Sequence, residues 1–210
     1  MKKLLIIVSS ILFFTSTAYS AGMVGLKVGL GEIDAENDAY TAGSTNVASQ
    51  SGDADNAYGA IFAELSIPSV DGLSVGLEYI PFEADIRLDK GESGTGAAVD
   101  QYKTFYVQYM ANAGSGSIYG KIGYSHAEIG AVTNANGTTV NSQDDSLEGP
   151  MAGIGFQTPE FGNGVFGRLE ATYTDLEDVS ITTTSNGSTS VKKTGSGEIT
   201  TLSVSIAKSF

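Results

Sequence analysis

Apolar and small polar residues alternate along the end of the chain, from Ile199 to Phe210. A strand rises about 3.3 Å per residue and points successive side chains to opposite faces, so this segment has one apolar side long enough to cross a bilayer obliquely. The pattern predicts the closing strand of a transmembrane β-barrel. The apolar face of that strand consists of Leu202, Val204, Ile206 and Phe210.

The same alternation recurs upstream between clusters of turn residues, and it predicts an antiparallel barrel of eight strands in total. The predicted strands cover residues 22–33, 57–67, 73–88, 102–111, 117–129, 148–157, 165–176 and 199–210. Within the third strand, the apolar residues stand at odd-numbered positions up to Tyr79 and at even-numbered positions from Phe82, on either side of Pro81. Because proline cannot donate to the ladder, we predict a β-bulge at that point.

Long and short connections alternate between the predicted strands. The short ones are residues 68–72, 112–116 and 158–164, and the long polar ones are residues 34–56, 89–101, 130–147 and 177–197. An even number of strands with short turns at one rim and long loops at the other is typical of bacterial outer-membrane barrels. We therefore expect an up-and-down barrel with extracellular long loops and both termini in the periplasm.

The first twenty residues have the features of a secretory signal peptide. Lys2 and Lys3 precede an apolar run over residues 4–14, and a small-residue cleavage site follows at residues 18–20. The run is shorter than the roughly 17–25 residues that a membrane-spanning helix needs. We expect residues 1–20 to be removed and residues 21–210 to form a single barrel domain.

Composition narrows the class of protein further. The chain carries a net charge of −13 and lacks the basic stripe of a nucleic-acid-binding protein, so we predict no nucleic-acid partner. It contains no cysteine, so strand pairing and barrel closure must replace disulfide bonds. No apolar stretch beyond the signal peptide is long enough for a membrane helix, which leaves strands as the only spanning elements.

Charged residues lie on the opposite strand faces from the large apolar residues. A Lys or Arg on the lipid face at mid-depth would cost about 2–4 kcal/mol, so these charges should point into the lumen. An eight-stranded barrel is just wide enough for side chains to fill it. We therefore predict a lumen ion-pair cluster that stabilises closure, with a gate for ions as the alternative. Its members are Lys27, Glu64, Glu78, Lys121, Arg168 and Glu170.

Aromatic residues on the apolar faces lie mostly toward strand ends, as in the girdles at the two membrane interfaces. Ordinary strand propensity of Tyr and Phe is the alternative explanation. The residues concerned are Tyr79, Phe105, Tyr109, Tyr124, Phe156, Tyr173 and Phe210.

The only histidine, His126, raises the alternative of a lipid-modifying enzyme. A serine nucleophile needs a histidine base and an orienting carboxylate. Ser125 cannot pair with His126, because adjacent strand residues point to opposite faces, whereas Glu128 shares the face of His126. A serine from a neighbouring strand would be required, so we predict no enzymatic activity, no catalytic residue and no cofactor.

Acidic residues are concentrated in the predicted loops, and their oxygens are of the kind that Ca²⁺ or Mg²⁺ takes. The clusters are Asp34-Glu36-Asp38, Asp53-Asp55 and Asp144-Asp145. Their spacing matches neither an EF-hand nor a nonapeptide calcium repeat, so we predict no metal site. Solvated surface charge is the expected role, and divalent bridging to lipopolysaccharide is the alternative.

The signal peptide, the alternating connections and the ending Leu202-Ser203-Val204-Ser205-Ile206-Ala207-Lys208-Ser209-Phe210 make the chain similar to the small eight-stranded outer-membrane barrels of the OmpA-transmembrane-domain and OmpX type. The resemblance covers residues 21–210. It implies that the barrel-assembly machinery reads the terminal Phe210 and the alternating apolar residues before it. Lys208 departs from the pattern, since that position is usually apolar or aromatic, and its stem could reach the membrane edge.

The resemblance also implies a function. We expect a monomeric, porin-like or OmpA-like protein in contact with outer-membrane lipid and lipopolysaccharide. Its role would be envelope integrity or adhesin-like surface interaction, with a narrow pore as the alternative. The loop ligand cannot be named from the sequence.

Overall fold

The structure is a computed structural model that describes residues 21–42, 45–81, 84–87, 96–133, 139–140, 146–185 and 189–210. The predicted signal peptide, residues 1–20, lies outside the described residues. Within the described ranges, no helix is long and apolar enough to cross a membrane.

Eight antiparallel strands, β1 to β8, form one closed barrel, which confirms the predicted fold. Their bounds are β1 Gly22–Asn37, β2 Gln50–Ser66, β3 Leu73–Ile80, β4 Gly96–Ala113, β5 Gly116–Thr133, β6 Ser146–Gln157, β7 Val165–Ser185 and β8 Thr189–Ser209. Four shorter strands, Tyr40–Ala42, Thr45–Val47, Ala84–Arg87 and Thr139–Val140, extend the connections between them.

Pairing between β1 and β8 closes the barrel. Their ladder runs from Met23 opposite Ser209 to Asn37 opposite Gly195. Next to it, the backbone groups of Gly22 and Phe210 exchange two hydrogen bonds of 3.1 and 2.9 Å. We call the end that holds both ends of the barrel domain and the turns 67–72, 114–115 and 158–164 the short-turn rim, and the opposite end the long-strand rim.

Several strands extend farther than the alternation of apolar residues predicts. The β1–β2 ladder continues to Asn37 opposite Gln50, and the β7–β8 ladder continues to Ser185 opposite Thr189. The predicted loops 34–56 and 177–197 are therefore wrong at their bounds, and β4 and β5 likewise extend into loops 89–101 and 130–147. Backbone pairing does not require apolar side chains, so polar segments beyond a membrane continue as ribbons that the hydrophobic pattern cannot detect.

The pairing around Pro81 contains one extra residue. Ile80 lies opposite Tyr102, whereas Ala84 lies opposite Val99, so four steps on one side match three on the other. This offset is the signature of a β-bulge. The predicted side-chain parity at Phe82 falls outside the described residues.

Burial alternates along the strands with the predicted parity. On β8, Ser203 and Ala207 are each 3% exposed, whereas Leu202 and Val204 are 57% and 53% exposed. The apolar face of each barrel strand is therefore turned outward, and small, charged and some aromatic side chains line the lumen.

Glycines on the lumen face make room for aromatic rings. A Cβ placed at Gly76 would overlap the ring of Tyr106, and a Cβ at Gly155 would overlap the ring of Tyr119. Gly120 on the outer face differs, because a Cβ there would meet only the carbonyl oxygen of Gly153, at 3.9 Å. Lumen glycines thus allow large rings to lie flat against the wall of a narrow barrel.

Replacement of Gly76 by valine should destabilise the barrel by about 1–3 kcal/mol, because the new side chain overpacks against Tyr106. The matched variant Gly120→Val adds the same atoms where space is open and should leave the free energy of unfolding nearly unchanged. Urea unfolding in lipid vesicles, followed by tyrosine fluorescence, measures both. Equal midpoints for the two variants would contradict the assignment of the two faces.

Candidate functional site

The structure places all six of the predicted lumen residues inside the barrel. Lys27 comes from β1, Glu64 from β2, Glu78 from β3, Lys121 from β5, and Arg168 and Glu170 from β7. Each is at most 8% exposed, and the barrel separates them into two adjoining groups. We call these the lysine cluster and the arginine layer.

The lysine cluster consists of Lys27, Lys121, Glu78 and Glu170. Nζ of Lys27 donates to Oε2 of Glu78 and, at 2.5 Å, to Oε1 of Glu170. Nζ of Lys121 donates to the same Glu170 oxygen at 2.7 Å and lies 3.6 Å from Oε2 of Glu78. Two cations thus alternate with two carboxylates across the lumen, so each buried charge faces charges of the opposite sign.

The arginine layer is built on a bidentate ion pair between Arg168 and Glu64. The Arg168 Nη1 and Nη2 groups donate to Oε1 and Oε2 of Glu64 at 2.6 and 3.0 Å. The hydroxyl of Tyr106 also donates to Oε1, at 2.8 Å, and Nε2 of Gln108 reaches Oε2 at 3.4 Å. The fork geometry of a guanidinium matches a carboxylate, so this pair fixes both side chains.

Aromatic rings surround the guanidinium of Arg168. Its Cζ atom lies 5.0 Å from the ring centroid of Tyr119 and 5.5 Å from those of Phe62 and Phe166. Cations are attracted to such ring faces. Tyr119 also donates from its hydroxyl to Oε2 of Glu170 at 3.0 Å, so this residue joins the arginine layer to the lysine cluster.

The two groups together fill the middle of the lumen with three cations and three carboxylates. The hydroxyl and ring contacts of Tyr106, Tyr119, Phe62 and Phe166 complete the packing. The alternation of apolar residues alone assigns none of these four to the site. One feature of the sequence could have identified the two tyrosines. Both alternate onto the inward face of their strands, next to glycines on a neighbouring strand that leave room for their rings. Chemically, the arrangement is a neutral network of paired charges.

At the long-strand rim, the outward side chains of β5 and β6 form a hydrogen-bonded group around His126. Its Nδ1 atom lies 2.8 Å from Oε1 of Glu148, and the Ser146 hydroxyl donates to the same oxygen at 3.4 Å. The hydrogen bond from His126 holds the pKa of the exposed Glu148 carboxyl below its ordinary value. The partner of His126 is thus Glu148 on the neighbouring strand rather than Glu128 on its own strand.

This rim group lacks the geometry of a hydrolytic triad. Ser146 and His126 both contact the carboxylate of Glu148, so the described contacts do not place the serine hydroxyl against the imidazole. Ser125 lies on the lumen side, 2.9 Å from the hydroxyl of Thr104. Glu128 instead accepts a hydrogen bond of 2.7 Å from Gln101.

The predicted acidic clusters lie partly on the extended strands. Asp34 is directly opposite Asp53, and Glu32 is opposite Asp55, all on the outer face. Asp144 and Asp145 lie outside the described residues. Among the residues that the structure describes, no group of three or more His, Asp and Glu side chains is arranged to hold a metal ion.

The outer face of the barrel carries a continuous belt of large apolar residues. Its members include Leu26, Val28, Leu30, Leu65, Val75, Leu77, Phe105, Val107, Tyr109, Ile118, Ile122, Tyr124, Ile154, Phe156, Leu169, Tyr173, Leu202, Val204, Ile206 and Phe210, each at least 39% exposed. The residues predicted as the assembly signal lie in this belt, on β8. A patch of this extent is far larger than soluble monomers expose and marks a membrane-contacting surface.

Closed strands, an apolar exterior and a charged interior define a transmembrane β-barrel. The chain is an eight-stranded antiparallel β-barrel with an apolar outer surface.

The sequence matches no protein-family model. It also matches none of the curated proteins. Among solved structures, the fold is similar to Ail, the attachment invasion locus protein of Yersinia pestis, with 11% identity over 90% of this chain and 99% of that chain and a TM-score of 0.48. Neisserial surface protein A is 17% identical over 88% of this chain and 97% of that chain, with a TM-score of 0.49. The outer membrane protease OmpT from Escherichia coli also matches, at 11% identity over 92% and 98% of the two chains and a TM-score of 0.35.

Replacement of Arg168 by methionine should destabilise the barrel by about 3–5 kcal/mol, because it leaves the Glu64 carboxylate buried without its counter-ion. The double variant Arg168→Met/Glu64→Gln removes the unpaired carboxylate charge and keeps an acceptor for the Tyr106 hydroxyl. It should therefore recover most of the lost stability. Urea unfolding in lipid vesicles measures both.

Lys103→Met is the matched control, since Lys103 lies at the rim 4.0 Å from Glu128 and is part-exposed. Its effect should stay below about 1 kcal/mol. A single variant as stable as the wild type, or a double variant no better than the single one, would show that the pair does not control stability.

Proposed function

We propose that the protein is a non-enzymatic outer-membrane barrel whose wall beyond the apolar belt is a surface for interaction with external partners. One observation carries this proposal: paired charges lie across the lumen, whereas β2, β1, β8 and β7 continue past the belt as one paired wall. A pore needs an open lumen, and an eight-stranded barrel has an interior only wide enough for side chains. Binding therefore has to use the outside of the wall.

The wall consists of the upper parts of β2, β1, β8 and β7. Its ladders continue to Asn37 opposite Gln50, to Asn37 opposite Gly195, and to Ser185 opposite Thr189. Beyond Tyr173 at the edge of the belt, β7 continues for twelve residues, which corresponds to about 40 Å along the strand at 3.3 Å per residue. A ribbon of this length has no role in crossing a bilayer.

The outer face of the wall carries carboxylates that lie directly opposite one another, and their repulsion lowers the stability of the sheet. Asp34 lies directly opposite Asp53 on one side and Glu198 on the other, and Glu198 lies opposite Asp175. Like charges placed directly opposite on a sheet are destabilising. Stability alone would disfavour this row of carboxylates across four strands. Its presence therefore supports a role in binding a basic polypeptide surface.

The orientation of the barrel is part of the proposal. We place the wall outside the cell and both termini in the periplasm, as the short turns and long strands favour. Leu202, Val204, Ile206 and Phe210 lie together on the outer face of the last strand, where the barrel-assembly machinery could read them. Outer-membrane lipid and lipopolysaccharide then surround the belt, and the barrel acts as a monomer.

The alternatives have less support. An ion path would need both the lysine cluster and the arginine layer to rearrange, and each buried charge would lose a partner during that change. A lipid hydrolase would need a serine against His126, and the rim contacts described above give that histidine a carboxylate partner instead.

The triple variant Asp34→Asn/Asp53→Asn/Glu198→Gln should weaken binding of barrel-containing vesicles to immobilised poly-L-lysine by at least about fivefold, since three negative charges are removed and each is worth on the order of 1 kcal/mol at most. Surface plasmon resonance at several salt concentrations measures this change. The wild type should also add no ion conductance to a planar bilayer.

The control variant Asp71→Asn/Glu160→Gln removes carboxylates from the short-turn rim and should bind as the wild type does. The same binding measurement with added EDTA distinguishes two modes of contact. Direct charge recognition survives EDTA, whereas contact with lipopolysaccharide through a bridging cation does not. Equal binding by wild type and triple variant, or discrete conductance steps, would contradict the proposal.

A further inference from the structure

A shallow apolar groove of about 570 Å³ lies on the outer face of the barrel, across β4 to β8. Large side chains form its walls, and they include Tyr109, Ile118, Phe156, Leu169 and Leu202. All five belong to the apolar belt and are exposed. The groove therefore opens toward hydrocarbon and not toward water.

Small residues leave open space in the groove on either side of Ile154, which lies opposite Gly120 on one strand and Ala171 on the other. A Cβ at Gly120 would meet only the carbonyl oxygen of Gly153, at 3.9 Å, so the space above this glycine is open. Ala111 and Ala171 also face outward and line the same groove. Small residues between large ones make a depression in an otherwise filled belt, and a flexible hydrocarbon chain can occupy such a depression without a hydrogen bond.

An aromatic ring and a cation lie between the groove and the short-turn rim. Phe161 is 68% exposed, and its ring lies 3.7 Å from the position that a Cβ of Gly167 would occupy. Gly167 is two residues along β7 from Leu169, which lines the groove. Lys208 is exposed on the outer face of β8, directly opposite Val165, two residues further toward the rim. With the part of the chain that the structure describes, Lys208 forms no ion pair.

We propose that the groove and Lys208 together bind one anionic phospholipid of the leaflet that contacts the short-turn rim. Its acyl chain occupies the groove, and its phosphate lies at Lys208. Val165 and Leu169 are four residues apart, which is about 13 Å along the strand, and the stem of a lysine shortens the remaining distance to the headgroup. The neighbouring carboxylate of Glu160 accepts a hydrogen bond from the backbone of Gly164, within its own turn.

This site is separate from the acidic wall at the opposite rim, and it depends on the apolar belt contacting lipid rather than on the proposed surface interaction. A single lysine at a membrane surface is worth about 1 kcal/mol toward an anionic lipid, which corresponds to about fivefold in affinity.

Native mass spectrometry of the refolded, detergent-solubilised barrel tests the proposal with dioleoyl phosphatidylglycerol and dioleoyl phosphatidylcholine as probes. The wild type should retain phosphatidylglycerol about fivefold more than phosphatidylcholine. Lys208→Gln should remove this preference while leaving retention of phosphatidylcholine unchanged. Gly120→Leu fills the groove and should reduce retention of both lipids severalfold.

Matched controls change the same groups elsewhere. Ala63→Leu adds bulk to the outer face of β2 outside the groove, and Lys103→Gln removes a cation at the long-strand rim; both should retain lipid as the wild type does. Heat-modified gel mobility confirms folding of every variant, and Ala111→Leu replaces Gly120→Leu if that variant does not fold. Wild-type retention in the groove-filling variant, or an unchanged phosphatidylglycerol preference in Lys208→Gln, would overturn the proposal.

Discussion

Closure of the sheet between β1 and β8 is the constraint on which the rest of the structure depends. Inside a bilayer no water can satisfy the backbone, so a sheet that spans it must have no open edge. The ladder from Met23 opposite Ser209 to Asn37 opposite Gly195 removes that edge. Closure also divides the side chains into an outer set and an inner set, and a shift of one residue in any strand would exchange the two.

The charged lumen follows from that division. Eight strands enclose a space that only side chains can fill, so every inward charge lies near others. Lys27 and Lys121 share Glu78 and Glu170, while Arg168 and Glu64 pair with each other. Removal of one partner is costly because the other stays buried. The same pairing that stabilises closure therefore also places charged side chains across the lumen, whereas the wall beyond the belt lies open on its outer face.

The sequence was sufficient to predict the strands within the belt, their inward and outward faces, and the six inward charges, because period-two alternation reports directly on face. It could not predict which inward residues meet. Which inward side chains pair depends on the register between strands that are far apart in the sequence. Arg168 and Glu64 are an example. For the same reason the alternation does not reveal Tyr119 between the two groups, or Glu148 opposite His126, although Glu128 does share the outer face of His126. Beyond the belt, polar ribbons such as 34–37 carry no apolar signal.

Quenching of single tryptophans by brominated acyl chains tests the assignment of faces most directly, since the natural chain contains no tryptophan. Ile122→Trp places the probe on the exposed belt, and Phe166→Trp places it in the lumen beside Arg168. The structure predicts strong quenching at position 122 and almost none at position 166. Strong quenching at position 166 with none at position 122 would contradict it, because the apolar faces would then point inward and the charged faces outward.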